Sequence, residues 1–218
     1  MKRILCYGDS NTWGHNPTTY DAATGIAARY PEGVRWPAVL QSDLGSAYYV
    51  CEEGLCGRTT VFEDPTHYGW NGNEYFEVAL RTCSPVDLVI FALGTNDSKD
   101  LFSASSGIIT AGMERLARSC LHLLRETDNS GAKVIISAPL KVVPDGDGCY
   151  WFDFSKASTR KLEELRSSYR TLAKNLNCEF FDFNDFGQAD PSDGVHMDPQ
   201  SHIRVGHALS EKVKELLK

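Results

Sequence analysis

Four short segments of this sequence carry groups suited to acyl transfer. Gly8-Asp9-Ser10-Asn11 offers a hydroxyl, and Asp193-Gly194-Val195-His196 offers a carboxylate and an imidazole three residues apart. Gly94-Thr95-Asn96-Asp97 offers a side-chain amide, and Leu55-Cys56-Gly57-Arg58 a tight glycine turn. A serine hydroxyl is a weak nucleophile until a base takes its proton. A carboxylate beside an imidazole holds the tautomer that leaves one ring nitrogen free to accept that proton, and it stabilises the imidazolium that forms. Ser10, His196 and Asp193 are therefore the candidate nucleophile, base and orienting acid, with Asp190 as the fallback acid. The tetrahedral intermediate carries negative charge on oxygen and needs fixed donors. The backbone N–H groups of Ser10 and Gly57 and the Asn96 amide are the candidates. Glycine at 57 would let the backbone approach a substrate closely. Each segment also has a plain structural reading. Asp9 or Ser10 can cap a helix, and Asp193-Gly194 and Asn96-Asp97 both suit turns.

The elements around these segments decide between the two readings. Short apolar runs at Lys2–Tyr7, Tyr48–Cys51, Asp87–Leu93, Lys133–Ala138 and Glu179–Phe183 read as strands. The run Asp87–Leu93 is continuously apolar, as in a strand buried on both faces. Apolar residues at helical spacing mark helices over Val34–Leu44, about Gly107–Thr127, Ser155–Asn177 and Pro199–Leu217. This alternation predicts a three-layer α/β/α fold with a five-stranded parallel sheet in a single domain spanning 1–218. Ligands of such sheets bind at the carboxyl ends of the strands. Ser10 follows the first strand, Gly57 the second, Asn96 the third, and the Asp193–His196 segment the fifth. The parts needed for acyl transfer thus converge on one edge.

Three stretches, 12–33, 59–75 and 143–154, fit no regular pattern and are rich in aromatic residues. Long loops on a compact scaffold usually have a function. Trp13 and Trp151, together with Asn11 beside the nucleophile, are candidate substrate-pocket residues, and the loops could also meet a second copy in a homo-oligomer. His15, five residues after Ser10, is close enough to touch a substrate. His202 and His207 are five apart, which misses the spacing of a helical metal pair, and read as surface or packing residues. Asp9 and Asp97 read as turn carboxylates.

Composition narrows the class. Hydrophobic residues make up 42% and charged residues 23% of the 218-residue chain, as in ordinary globular proteins. A net charge of −7 lacks the basic footprint of a nucleic-acid binder and disfavours anionic membranes. No stretch has the length of a membrane span, and the apolar run after Met1-Lys2-Arg3 is short for a signal peptide. Seven cysteines, none in a CxxC pair, read as buried free thiols in a reducing compartment. Cytoplasmic location is the expectation.

Taken together, Gly8-Asp9-Ser10, Gly57, Gly94-Thr95-Asn96-Asp97 and Asp193-Gly194-Val195-His196 resemble the four sequence blocks of the SGNH (GDSL) hydrolase family. The Ser, Gly, Asn and His of that name would fall on Ser10, Gly57, Asn96 and His196. The runs Lys2–Ser10 with Thr12-Trp13-Gly14, Glu52-Glu53-Gly54-Leu55 with Arg58-Thr59-Thr60, and Asp87–Ile90 are similar to the arylesterase/acyltransferase branch. Asn11 departs from the leucine of the motif, and position 57 can hold another small residue in that branch. The resemblance implies a flavodoxin-like three-layer fold, no metal or other cofactor, and hydrolysis of small carboxylic esters through an acyl-enzyme. It further implies a preference for short acyl groups and the ability to pass them to alcohols. A carbohydrate O-deacetylase using the same residues is the alternative. A non-catalytic module of the same fold is a third reading, which the quartet disfavours.

Overall fold

The computed structural model describes residues 1–127, 129 and 131–218. Strands β1 (Lys2–Gly8), β2 (Tyr48–Gly54), β3 (Leu88–Ala92), β4 (Lys133–Ala138) and β5 (Glu179–Asp182) form one sheet in the order β2-β1-β3-β4-β5. Every neighbouring pair is parallel. Among the described residues six α-helices accompany it: α1 (Ser10–Trp13), α2 (Trp36–Leu44), α3 (Gly72–Cys83), α4 (Ser106–Glu126), α5 (Lys156–Asn175) and α6 (Pro199–Leu216). Among the described residues, no helix is long and apolar enough to cross a membrane.

Successive strand side chains point to opposite faces, and here they divide into two cores. Leu5, Tyr7, Val89 and Phe91 join Leu80 of α3, Leu116 of α4 and Leu162 of α5. Ile4, Cys6, Leu88 and Ile90 join Trp36 and Leu40 of α2 and Val205 and Leu209 of α6. Each fully buried aliphatic or aromatic side chain of this kind contributes about 1.5–3 kcal/mol. The sheet is therefore covered on both faces, as the alternation of elements implies.

Helix α3 departs from the sequence expectation, which takes 59–75 as irregular throughout. Asn71, Gly72 and Asn73 read as a loop, but Asn71 is a cap whose side chain accepts the Asn73 N–H. Phe76, Ala79, Leu80 and Cys83 then form the buried stripe. The expectation of buried free thiols holds for four of the seven cysteines. Cys6, Cys51, Cys83 and Cys120 are buried, Cys56 and Cys178 half-buried, Cys149 exposed, and none is bridged.

Candidate active site

The chain passes from β1 to β2 on one side, then crosses to β3 on the other. The C-terminal ends of β1 and β3 therefore flank the crevice where strand order reverses, the usual ligand site of such sheets. Gly8 and Ala92 are paired neighbours there. Asp9 turns the chain at once into α1. Its side chain accepts the Asn11 N–H at 2.9 Å, and its carbonyl accepts the N–H groups of Thr12 and Trp13. Ser10 is the first helical residue, so its N–H has no intrahelical acceptor.

The second half of the site arrives from the loop before α6. Ser10 Oγ lies 2.8 Å from His196 Nε2, and His196 Nδ1 lies 2.5 Å from Asp193 Oδ2. The other Asp193 oxygen accepts the N–H groups of Val195 and His196 at 2.8 and 3.0 Å. All three side chains are buried. Burial pushes the Asp193 carboxyl up, but the His196 imidazole, by hydrogen bond and charge, and the two backbone N–H groups outweigh it and leave it below the usual carboxylate range. Asp193 is thus held ionised beside the ring. Gly194 has φ +68°, and a Cβ there would collide with the Val143 carbonyl. The Val143 N–H donates to Gly194 O at 2.8 Å, closing the loop.

Asp190 does not reach the imidazole. Its side chain accepts from Ser192, while its backbone N–H donates to His196 O at 2.7 Å. It braces the loop, and Asp193 holds the ring.

On the other flank, the Asn96 amide donates to Arg58 O at 3.1 Å, which leaves its second N–H available. Gly57 has φ +83°, and a Cβ there would lie 2.5 Å from the Trp70 ring. The resemblance allows another small residue at 57; in this chain Trp70 occupies the space that its side chain would need. Asp97 is buried and accepts the Thr60 N–H and hydroxyl, and burial raises it to about 6. Asp9 is likewise raised by burial. Both are turn carboxylates, as the sequence suggests.

Arg58 and His15 carry more of the site than sequence reasoning assigns them. The Arg58 guanidinium lies buried 4.0 Å from the Tyr7 ring centroid and donates to Gly8 O at 2.9 Å and to Glu53 O. It ties the turn before Ser10 to the glycine turn at 57. His15 stacks on His196 with 3.8 Å between ring centroids and 20° between planes. Burial, then the neighbouring His196, lowers it to about 4, so His15 is neutral at physiological pH. Its sequence signal is its place one residue beyond Gly14, the left-handed cap that ends α1.

The expected pocket residues separate. Trp151 stands edge-on to His196 at 5.2 Å and to His15 at 6.0 Å. Tyr20 and Phe152 extend this wall, 5.4 and 4.3 Å from Trp151. Asn11 is instead engaged in structure, its Oδ1 accepting the Met197 N–H at 2.8 Å and so joining the Ser10 turn to the His196 loop. Trp13 packs near the Arg29 guanidinium, 5.7 Å from its ring. His202 is fully buried, and His207 is exposed and paired with Asp43.

His15, Asp193 and His196 bring potential ligand atoms within 4.8 Å, the one such metal-capable group among the described residues. Both His196 nitrogens already face Ser10 and Asp193. Imidazole lone pairs lie in the ring plane, and two nearly parallel rings do not aim them at a common point. The group is arranged for proton transfer.

The GDSL-like lipase/acylhydrolase family model matches residues 6–203, and the chain belongs to that family. It is an SGNH carboxylic ester hydrolase by its fold and its esterase relatives. The aryl esterase of M. smegmatis is 36% identical over 99% of this chain and 100% of its own, with a TM-score of 0.91. A carbohydrate acetylesterase from Sinorhizobium meliloti is 35% identical over 99% and 100%, with a TM-score of 0.90. A lipase/acylhydrolase from Enterococcus faecalis shares the fold at 16% identity, with a TM-score of 0.67 over 99% and 96%. No curated protein sequence matches the chain.

Proposed function

We propose that this esterase cleaves short-acyl esters of ring-bearing alcohols, aryl acetates foremost, through an acyl-enzyme on Ser10. The observation that carries the reading is the continuous chain Ser10–His196–Asp193 set under an aromatic wall. His196 takes the Ser10 proton as Oγ attacks the ester carbonyl. The Ser10 N–H, the Gly57 N–H and the second Asn96 N–H receive the oxyanion. His196 then gives its proton to the leaving oxygen, so the alcohol departs along the side walled by His15, Tyr20 and Trp151. Water, activated by the same imidazole, releases the acid. Rings pack well on aromatic edges and faces, which supports an aryl leaving group. Trp70 against Gly57 narrows the far side, which supports a short acyl group.

The same wall also suits the C–H face of a pyranose, and this supports the second reading, a carbohydrate O-deacetylase. It further favours an alcohol over water as acyl acceptor. The free thiols support a reducing compartment, and we place the activity in the cytoplasm. A fluorophosphonate probe should label wild-type protein at Ser10 and leave Ser10→Ala unlabelled; absence of labelling overturns the scheme. Rates on p-nitrophenyl esters should fall from acetate to octanoate. Phenyl acetate against peracetylated xylose separates the two readings, and benzyl acetate formed in added benzyl alcohol measures transfer.

A further inference from the structure

Lys99 is a cation without an anion. Among the described residues its amine makes no hydrogen bond or ion pair, although the side chain is only partly exposed. Nζ lies 5.5 Å from the Trp70 ring centroid and 5.6 Å from that of Phe154. The nearby acids are partly engaged elsewhere or open to water. Asp64 accepts from Thr66 and His67 on one oxygen, Asp97 from Thr60 on both, Asp9 from Asn11 on one, and Asp153 is exposed. Burial lowers the Lys99 pKa, with Asp64 and Asp153 opposing. An ammonium carries three donors, and aromatic faces attract its charge while accepting few of its hydrogen bonds.

Its position relates it to the substrate. A 3₁₀ turn over Asn96–Ser98 leads into Lys99, whose N–H donates to Asn96 O at 3.2 Å. Residues three apart on such a turn nearly eclipse each other, so Lys99 follows Asn96 on the oxyanion flank. Trp70 joins the two regions, because its ring lies against Gly57 and beside the Lys99 amine. The opposite flank, at His196, is the one through which the alcohol leaves.

We propose that Lys99 is a specificity-determining residue that receives a carboxylate on the acyl part of the substrate, so that half-esters of short dicarboxylic acids are preferred over neutral esters of the same alcohol and acyl length. The amine then gains the acceptor that the protein does not supply, in a partly dehydrated setting where a charge-assisted hydrogen bond is strong. This rests on the Ser10 esterase reading, which turnover of a neutral ester checks separately.

The test compares monoethyl succinate with ethyl butyrate, following ethanol release by wild type, Lys99→Met and Lys99→Arg. Lys99→Met keeps the apolar stem, so ethyl butyrate turnover should stay within about twofold while the succinate-to-butyrate ratio of kcat/KM falls about ten-fold, the scale of one hydrogen bond to a charge. Lys99→Arg should keep most of the ratio. A parallel pair, O-acetylglycolate against propyl acetate, carries the anion on the alcohol and should not respond. In wild type alone, the succinate preference should weaken as salt rises from about 0.02 to about 0.5 M, since screening acts on the charge pair. An unchanged ratio in Lys99→Met, with butyrate turnover intact, overturns the proposal. So does a loss confined to the acetylglycolate pair, or a wild-type preference indifferent to salt.

Discussion

The turns that hold the proposed catalytic groups and the loops that wall them are built differently. At Asp9–Asn11 and Asp190–Met197, directed hydrogen bonds hold the turns. Asp9 holds the Asn11 N–H, Asp193 the Val195 and His196 N–H groups, Asn11 the Met197 N–H, and Arg58 the Gly8 carbonyl. The wall formed by His15, Tyr20, Trp151 and Phe152 is held ring on ring. Hydrogen bonds fix a nucleophile to within fractions of an ångström, which catalysis by positioning requires. Ring packing sets the shape of a pocket and tolerates change. Chemistry should therefore be intolerant of substitution here, and substrate choice adjustable.

Ser10→Ala tests the rigid side hardest. Loss of the proposed nucleophile should lower kcat on phenyl acetate by roughly 10³-fold or more, while the fold survives, since among the described residues Ser10 Oγ bonds only His196. Asn96→Ala should cost roughly 10²–10³ in kcat, the usual price of one oxyanion donor. Because the lost donor acts on the transition state, KM should move far less. Equal losses in kcat and 1/KM would mean that Asn96 only supports the turn at Arg58.

The adjustable side predicts a smaller and more selective effect. Trp151→Ala should lower kcat/KM for phenyl acetate relative to ethyl acetate by about ten-fold, the scale of one aromatic contact of about 1.4 kcal/mol. Rates on ethyl acetate should change little. A uniform loss on both esters would show that Trp151 holds His196 in place instead of the leaving group, and would dissolve the distinction between the two regions.

The difference in construction also explains what the sequence reveals. Ser10, Asn96, Asp193 and His196 are legible because each follows a strand or precedes a helix, and strand periodicity places those ends in space. Gly57 is legible as a turn, but the reason for glycine is not: Trp70 lies thirteen positions on and meets it only in three dimensions. His15 is close to Ser10 in sequence, yet its stacking on His196 depends on a loop 181 residues away. Asn11 and Trp13 read as pocket residues because they flank the nucleophile, and neighbourhood along the chain does not tell which way a side chain on a single helical turn points. Helix α3 was hidden by the Asn-Gly-Asn start that caps it.

The smallest effect concerns His202, which contrasts with His196 within the same stretch of chain. Both are buried, but His196 has a polar partner on each nitrogen. His202 accepts only a long 3.4 Å bond from the Trp36 N–H, and its Nε2 has no partner among the described residues. Burial, then the charge of His196, lowers its pKa to about 3. A histidine near 6.5 in the unfolded chain therefore takes up a proton on acidification that the folded chain refuses, and stability falls as pH falls through 6.5. Between pH 7 and 6 this costs about 0.7 kcal/mol for His202 and about as much for His15. Asp97, raised to about 6, acts with the opposite sign, because the folded state protonates first and gains stability as pH falls. His202→Phe keeps the ring beside Tyr30 and removes one titrating group. Urea unfolding at pH 7 and 6 should show the pH-dependent loss shrinking by about 0.7 kcal/mol in the variant, with His15 and Asp97 unchanged in both proteins. An identical loss in wild type and variant would mean that His202 finds a proton-accepting partner in the folded state, and that the orphaned nitrogen is not orphaned in solution.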